Sequence, residues 1–137
     1  MTHTYNSKRV IITLGNHIVS GTADDSFVTI EQPEDGVTAK TGCDGEVVRS
    51  VTPSNMHNIR IVLLWGSPSG QYLMNMYRKD REDGTGMFPI EIKDLGGEML
   101  FSAKEAWVTK MAPYTAGKEA QNREWTLASA DGTFEEG

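Results

Sequence analysis

The 137-residue chain is short of cysteine, of basic residues and of long apolar runs. Its single cysteine excludes an internal disulfide framework and fits a reducing compartment. The longest apolar stretch, IRIVLLW at Ile59 to Trp65, carries Arg60 and falls far short of the roughly 20 residues that a membrane-spanning helix needs. MTHTYNSKRV has no hydrophobic region behind its positive charges, so no secretory signal is expected and the reading is of a cytosolic protein. With 13 Lys and Arg against 19 Asp and Glu, the net charge is −6. A protein that holds nucleic acid by neutralising phosphates needs a basic face instead, which argues against that class.

What the chain does have is enough length for one core, 14 glycines for turns, and many short β-favouring segments. It carries no repeat, low-complexity segment or linker, so residues 1–137 read as a single domain, with loose ends at about 1–7 and 131–137. RVIITL places Val10, Ile12 and Leu14 on one face of a strand. HIVSG follows a Gly15-Asn16 turn, and FVTIE and VTAKTG flank the turn formers QPEDG, which predicts a hairpin over residues 26–42. EVVRSVT alternates as a strand, whereas NIRIVLLW loses alternation after Arg60, as expected of a central strand covered on both faces. MFPIEIKDL and EMLFS read as two strands around Gly96 and Gly97, AKEAWVTK is a strand or a short helix, and REWTLAS alternates with Trp125 and Leu127 inward.

One segment breaks this pattern. In SPSGQYLMNMYRKDR, Ser67 suits the N-cap and Pro68 the first helical position, while Tyr72, Leu73, Met76 and Tyr77 form a core-facing stripe at helical spacing. Arg78, Lys79 and Arg81 lie at the far end, where positive charge complements the helix dipole. The fold class is therefore mainly β, a sandwich or small barrel of two packed antiparallel sheets with one flanking α-helix.

Catalytic motifs fail in turn. Cys43 has Asp44 beside it and Glu46 close behind, which opposes thiolate formation, and His3, His17 and His57 stand in no Cys/His or metal spacing. Cys43 is expected to be a small, at least half-buried residue, and the Asp44-Gly45 dipeptide beside it signals a tight turn, because Gly supplies positive φ. GSPSG precedes the helix without the lysine of a phosphate loop. Trp65, Trp107 and Trp125 sit in apolar, strand-like contexts and are expected in the core, although an exposed one could form a carbohydrate platform. The residues alone thus define an acidic β domain with no catalytic centre and no cofactor.

In order, VTAKTGCDGEVVRSVTPSN, NIRIVLLWGSPSGQYLMNMYRKD, FPIEIKDLGGEMLFSAKEAWVTK and KEAQNREWTLASADG resemble the tail tube proteins of contractile-tailed bacteriophages, over about Val10 to Asp131. The resemblance rests on the Gly-x-Asp-Gly-Glu-Val turn at Gly42 to Val47, the Arg49-Ser50 pair, the Ala106-Trp107 segment and the Arg123-Glu124-Trp125 strand, with a departure at Gly70 in the helix start. It implies a structural virion protein similar in fold to the inner tubes of type VI secretion systems and bacteriocins. Hexameric rings would stack into a tube, assembled in the host cytoplasm. Its implied partners are a sheath protein, a baseplate or tube initiator, a tape measure protein and a tail terminator, with DNA passing through the lumen without specific binding and no membrane partner. Another ring-forming tail protein, such as a terminator, is the alternative within this class, and a monomeric carbohydrate-binding β-sandwich is the alternative outside it.

A ring of six would carry about −36, and negative charge on the lumen wall would keep DNA from adhering in transit. Glu31, Glu34, Asp35 and Glu46 are the lumen-facing candidates, with Lys40 and Arg49 in the same segments diluting that field or forming ion pairs between subunits. For ring stacking the candidates are Cys43, Asp44 and Gly45 in one loop and Pro53, Ser54 and Asn55 in the loop from Thr52 to His57.

Overall fold

The computed structural model describes residues 2, 4–24 and 26–136. Among these, ten strands and one α-helix follow in the order β1 (Val10–Leu14), β2 (His17–Ile18), β3 (Val28–Glu31), β4 (Val37–Thr41), β5 (Val47–Val51), β6 (His57–Leu63), α1 (Pro68–Asp83), β7 (Phe88–Asp94), β8 (Met99–Lys110), β9 (Arg123–Ala130) and β10 (Thr133–Glu136). Eight strands form one antiparallel sheet in the order β2-β1-β7-β8-β9-β6-β3, with β10 also on β8, and β4 and β5 form a separate hairpin.

The two expected layers are halves of one continuous sheet that curls over itself. Ile18 pairs with β1 at one end of the strand order, and only four residues later Thr22 bridges Leu63 of β6 near the other end. Four residues reach at most about 14 Å. Five strand spacings in a flat sheet would need about 24 Å, so the sheet must bend. The curl stops short of a closed barrel, since β2 and β3 do not pair. Between its halves lies one core, with Ile12 and Leu14 from β1 and Ile90 and Ile92 from β7 on one side, and Ile59, Ile61 and Leu63 from β6 and Trp125 and Leu127 from β9 on the other.

Helix α1 closes one end of the curl. Ser67 caps it by accepting the N–H of Ser69, Pro68 takes the first position, and Gly84 ends it in the left-handed region at φ 76°. Leu73 is fully buried, and Tyr72, Met76 and Tyr77 pack against the core, as the helical spacing predicts.

Several local expectations are corrected. Residues 26–42 are not a hairpin: β3 pairs with β6, Val28 facing Ile61, and the hairpin is β4 with β5. β6 is covered on one face only, with Ile59, Ile61 and Leu63 inward and Arg60 exposed. Of the tryptophans only Trp125 fills the core, while Trp65 is 59% exposed and Trp107 is half-buried opposite Ala128, on the sheet face away from the core. Cys43 is exposed rather than half-buried. Residues Thr133–Glu136, expected to be loose, form β10.

Candidate assembly surfaces

Among the described residues, the β4–β5 hairpin contributes nothing to the core. VTAKT and VVRSV are rich in β-branched residues, and the turn between them is built by Gly42 and Gly45. Gly42 N–H donates to the Glu46 carbonyl at 2.8 Å, Gly45 N–H to the Gly42 carbonyl at 3.1 Å, and Asp44 Oδ1 accepts the Glu46 N–H at 3.2 Å. Gly45 sits at φ 88°, a conformation that a residue with a Cβ adopts only with strain. At the base, Thr52 N–H donates to the Gly36 carbonyl at 2.8 Å. Every residue from Val37 to Val51 is exposed.

Directly opposed residues share a face. One face carries Val37 with Val51, Ala39 with Arg49, and Thr41 with Val47, and the other carries Thr38 with Ser50 and Lys40 with Val48. Three valines 49%, 59% and 75% exposed thus lie on one side of a free-standing ribbon. A lone two-stranded hairpin is marginally stable in water, and an exposed row of unpaired backbone groups invites another strand.

The sequence candidates fall around this ribbon. Glu31 ends β3 and lies 3.5 Å from Arg60, both half-exposed. Glu34 and Asp35 lie in the exposed link to β4, and Glu46 precedes β5. Lys40 and Arg49 are on opposite faces of the hairpin. Cys43, Asp44 and Gly45 form its tip. Pro53, Ser54 and Asn55 run from its base to β6, where the Asn55 carbonyl accepts Gly132 N–H at 3.0 Å and contacts His57 Nδ1 at 3.0 Å. The tip and this second loop are therefore at separate ends of the ribbon.

Sequence reasoning passes over one polar cluster. His17 Nε2 lies 2.8 Å from Ser69 Oγ, which also accepts Ser20 N–H at 2.9 Å, and His17 stacks on Tyr72 with ring planes 8° apart. A serine beside a histidine resembles an activated nucleophile, but Ser69 is completely buried and has no route to a substrate. Its bonds fasten residues 17–20 to the first turn of α1. Burial pushes the Tyr72 phenol above its ordinary pKa. No local spacing signals this cluster, because His17 and Ser69 are 52 residues apart.

An exposed aromatic patch lies at the helix end, where Trp65 and Tyr114 flank the loop that follows β8. Arg123 holds that loop by donating to the Ala112 carbonyl at 2.7 Å, with its guanidinium over the Tyr114 and Trp125 rings.

The fold is thus a curled antiparallel sheet with one capping helix and a projecting, exposed ribbon. Residues 9–133 match the family model of the bacteriophage PhiTE tail tube protein, and the chain belongs to that family, a structural component of the phage tail. It is 26% identical to structural protein ORF10 of Pseudomonas phage KPP10, over 99% of this chain and 83% of that protein. In fold it is similar to a subunit of the sheath/tube terminator of an extracellular contractile injection system, PVC, at 15% identity and a TM-score of 0.69 over 98% of both chains. A subunit of the PVC sheath-tube complex gives 15% identity and a TM-score of 0.68 over 98% of this chain and 93% of that one.

Proposed function

We propose that this chain forms hexameric rings that stack into the inner tube of a contractile phage tail, the conduit through which DNA leaves the virion. The observation that carries the reading is the hairpin, a ribbon exposed along its whole length with three valines on one face. Such a ribbon gains its stability from a neighbouring subunit, and pairing around a ring removes free edges from every copy. Membership of a tail tube family supports the same conclusion.

In this reading Glu31, Glu34, Asp35 and Glu46 face the lumen and set a negative wall that DNA slides past. Ring stacking uses the tip at Cys43 to Gly45 and the loop at Pro53 to Asn55. A sheath protein surrounds the tube, a baseplate initiates it, a tape measure protein sets its length and a terminator ends it. The fold similarity to a sheath/tube terminator supports a second reading, that this chain is itself the terminating ring. Electron microscopy of the concentrated protein separates the two: a tube protein grows stacks of rings, and a terminator stops at one.

A further inference from the structure

We propose that the cleft between α1 and the start of β9 binds a carboxylate carried on a short apolar stem, a site independent of the ring reading above. Two buried donors point to it. Trp125 is fully buried, and its indole N–H, which can only donate, meets no acceptor among the described residues. Arg123 gives one terminal nitrogen to the Ala112 carbonyl at 2.7 Å, yet its buried Nε also lacks a partner. Buried donors in folded proteins are nearly always matched, so two unmatched ones side by side mark a place where an acceptor from outside belongs. Strand geometry makes them neighbours: residues 123 and 125 share a face of β9, opposite Leu63 and Ile61 of β6, and the Arg123 guanidinium carbon stands 5.3 Å from the Trp125 ring centre.

Both residues line a cleft of about 350 Å³, within the size range of small-ligand sites. Its other wall is one face of α1, where Gln71, Asn75 and Arg78 follow at helical spacing. Every charged residue on the lining is an arginine, and neither Arg78 nor Arg123 forms an ion pair with the described residues. The ligand is therefore an anion. Met74 and Leu64 supply apolar walls, which suit a carbon stem and not a phosphate, whose oxygens project on every side. A carboxylate has two oxygens for the two unmatched N–H groups, and Arg78, exposed at the rim, adds charge. Either a free aliphatic acid or an acidic side chain of a second copy has this form. Gly70 leaves the room: a Cβ there would stand 3.8 Å from Trp125 Nε1, the nearest atom of that ring, and 3.9 Å from Leu63 Cδ1. The same glycine is where the helix start departs from the tail tube pattern.

The test follows the Trp125 indole N–H by NMR in isotope-labelled protein while sodium butyrate is added against sodium chloride of equal ionic strength. Trp65→Phe and Trp107→Phe, both outside the core, assign the remaining indole signal. Butyrate is expected to move that signal downfield and saturably, with a midpoint below about 20 mM, while chloride leaves it in place. Gly70→Ala, which fills the space beside the nitrogen and favours the helix, is expected to weaken the effect at least about ten-fold. Should circular dichroism show that variant unfolded, Arg123→Gln is titrated for the same loss. Light scattering separates the two sources of the carboxylate. Butyrate that raises the concentration needed for self-association marks an acidic side chain of a second copy, and butyrate without effect on association marks a free small acid. A Trp125 signal that fails to saturate in that range, moves equally in chloride, or responds equally in the folded variant overturns the site and leaves the tube reading standing.

Discussion

His17 Nε2 lies 2.8 Å from the buried hydroxyl of Ser69, and this contact helps tie β2 to the helix that closes the end of the sheet. The same hydroxyl accepts the Ser20 N–H, so two partners from one segment meet on it. Ser69→Ala strands both partners and is expected to lower unfolding free energy by about 1–3 kcal/mol. His17→Ala, which also removes the stack on Tyr72, is expected to cost a similar amount. Urea denaturation measures both, and losses under about 0.5 kcal/mol would show that the cluster is not a structural tie.

Gly86 lies where the chain leaving α1 turns back against it. A Cβ there would stand 2.1 Å from the Met76 carbonyl and 2.7 Å from the Asp80 N–H nitrogen, both backbone atoms that cannot move aside. Gly86→Ala is expected to destabilise by about 1–3 kcal/mol or more, as overpacking does, with the helix end shifting to relieve the clash. Thermal unfolding checks this, and an unchanged midpoint would contradict the close approach.

Asp83, in the last turn of α1, accepts the Thr85 hydroxyl and the Thr85 N–H, and these bonds hold its carboxyl below the ordinary value of 3.8. The lowered value means that the folded chain binds this proton less readily than the unfolded one. Its contribution to stability is therefore fully present above the ordinary carboxylate range and is lost as pH falls through the depressed pKa. Carbon-13 NMR titration of the side chain should give a midpoint below 3.8, which Thr85→Ala moves upward. A midpoint unchanged by Thr85→Ala would remove the hydroxyl as its cause.

Cys43, exposed at the hairpin tip, reports on stacking. In the monomer its thiol should alkylate freely. In assembled tubes alkylation should slow at least about ten-fold, together with hydrogen exchange at residues 43–45 and 52–56. Equal rates in the two states would remove these loops from the ring-to-ring contact.

For the lumen, the variant Glu31→Gln, Glu34→Gln, Asp35→Asn, Glu46→Gln should form tubes that retain DNA at low salt and release it as salt rises, where wild-type tubes retain none. Equal retention would place these carboxylates away from the DNA path.

The parts legible in the sequence were those encoded locally. Ser67, Pro68 and the stripe from Tyr72 to Tyr77 define α1 within one segment, and Asp44-Gly45 marks the turn that the hairpin uses. The partner of β3 was not legible. VTIE and VTAKT flank a run of turn formers and mimic a hairpin, yet the mate of β3 is β6, about 30 residues on, and the burial that selects this register depends on the whole curled sheet. Trp65 reads as core because LLW continues an apolar strand, but β6 ends at Leu63 and the chain turns out before Trp65. β10 is acidic and short, and its signal lies in the register it inherits from β9. VTAKT and VVRSV read as ordinary strands, and only the fold pairs them into a ribbon with no core to cover.

The most direct test of the account is a cryo-electron microscopy map of the protein assembled at high concentration, alone and with its baseplate. The account expects stacked six-fold rings around an open lumen, with Glu31, Glu34, Asp35 and Glu46 on the inner wall. A particle that stays monomeric under both conditions, or rings that carry these four carboxylates on the outer wall, would contradict it.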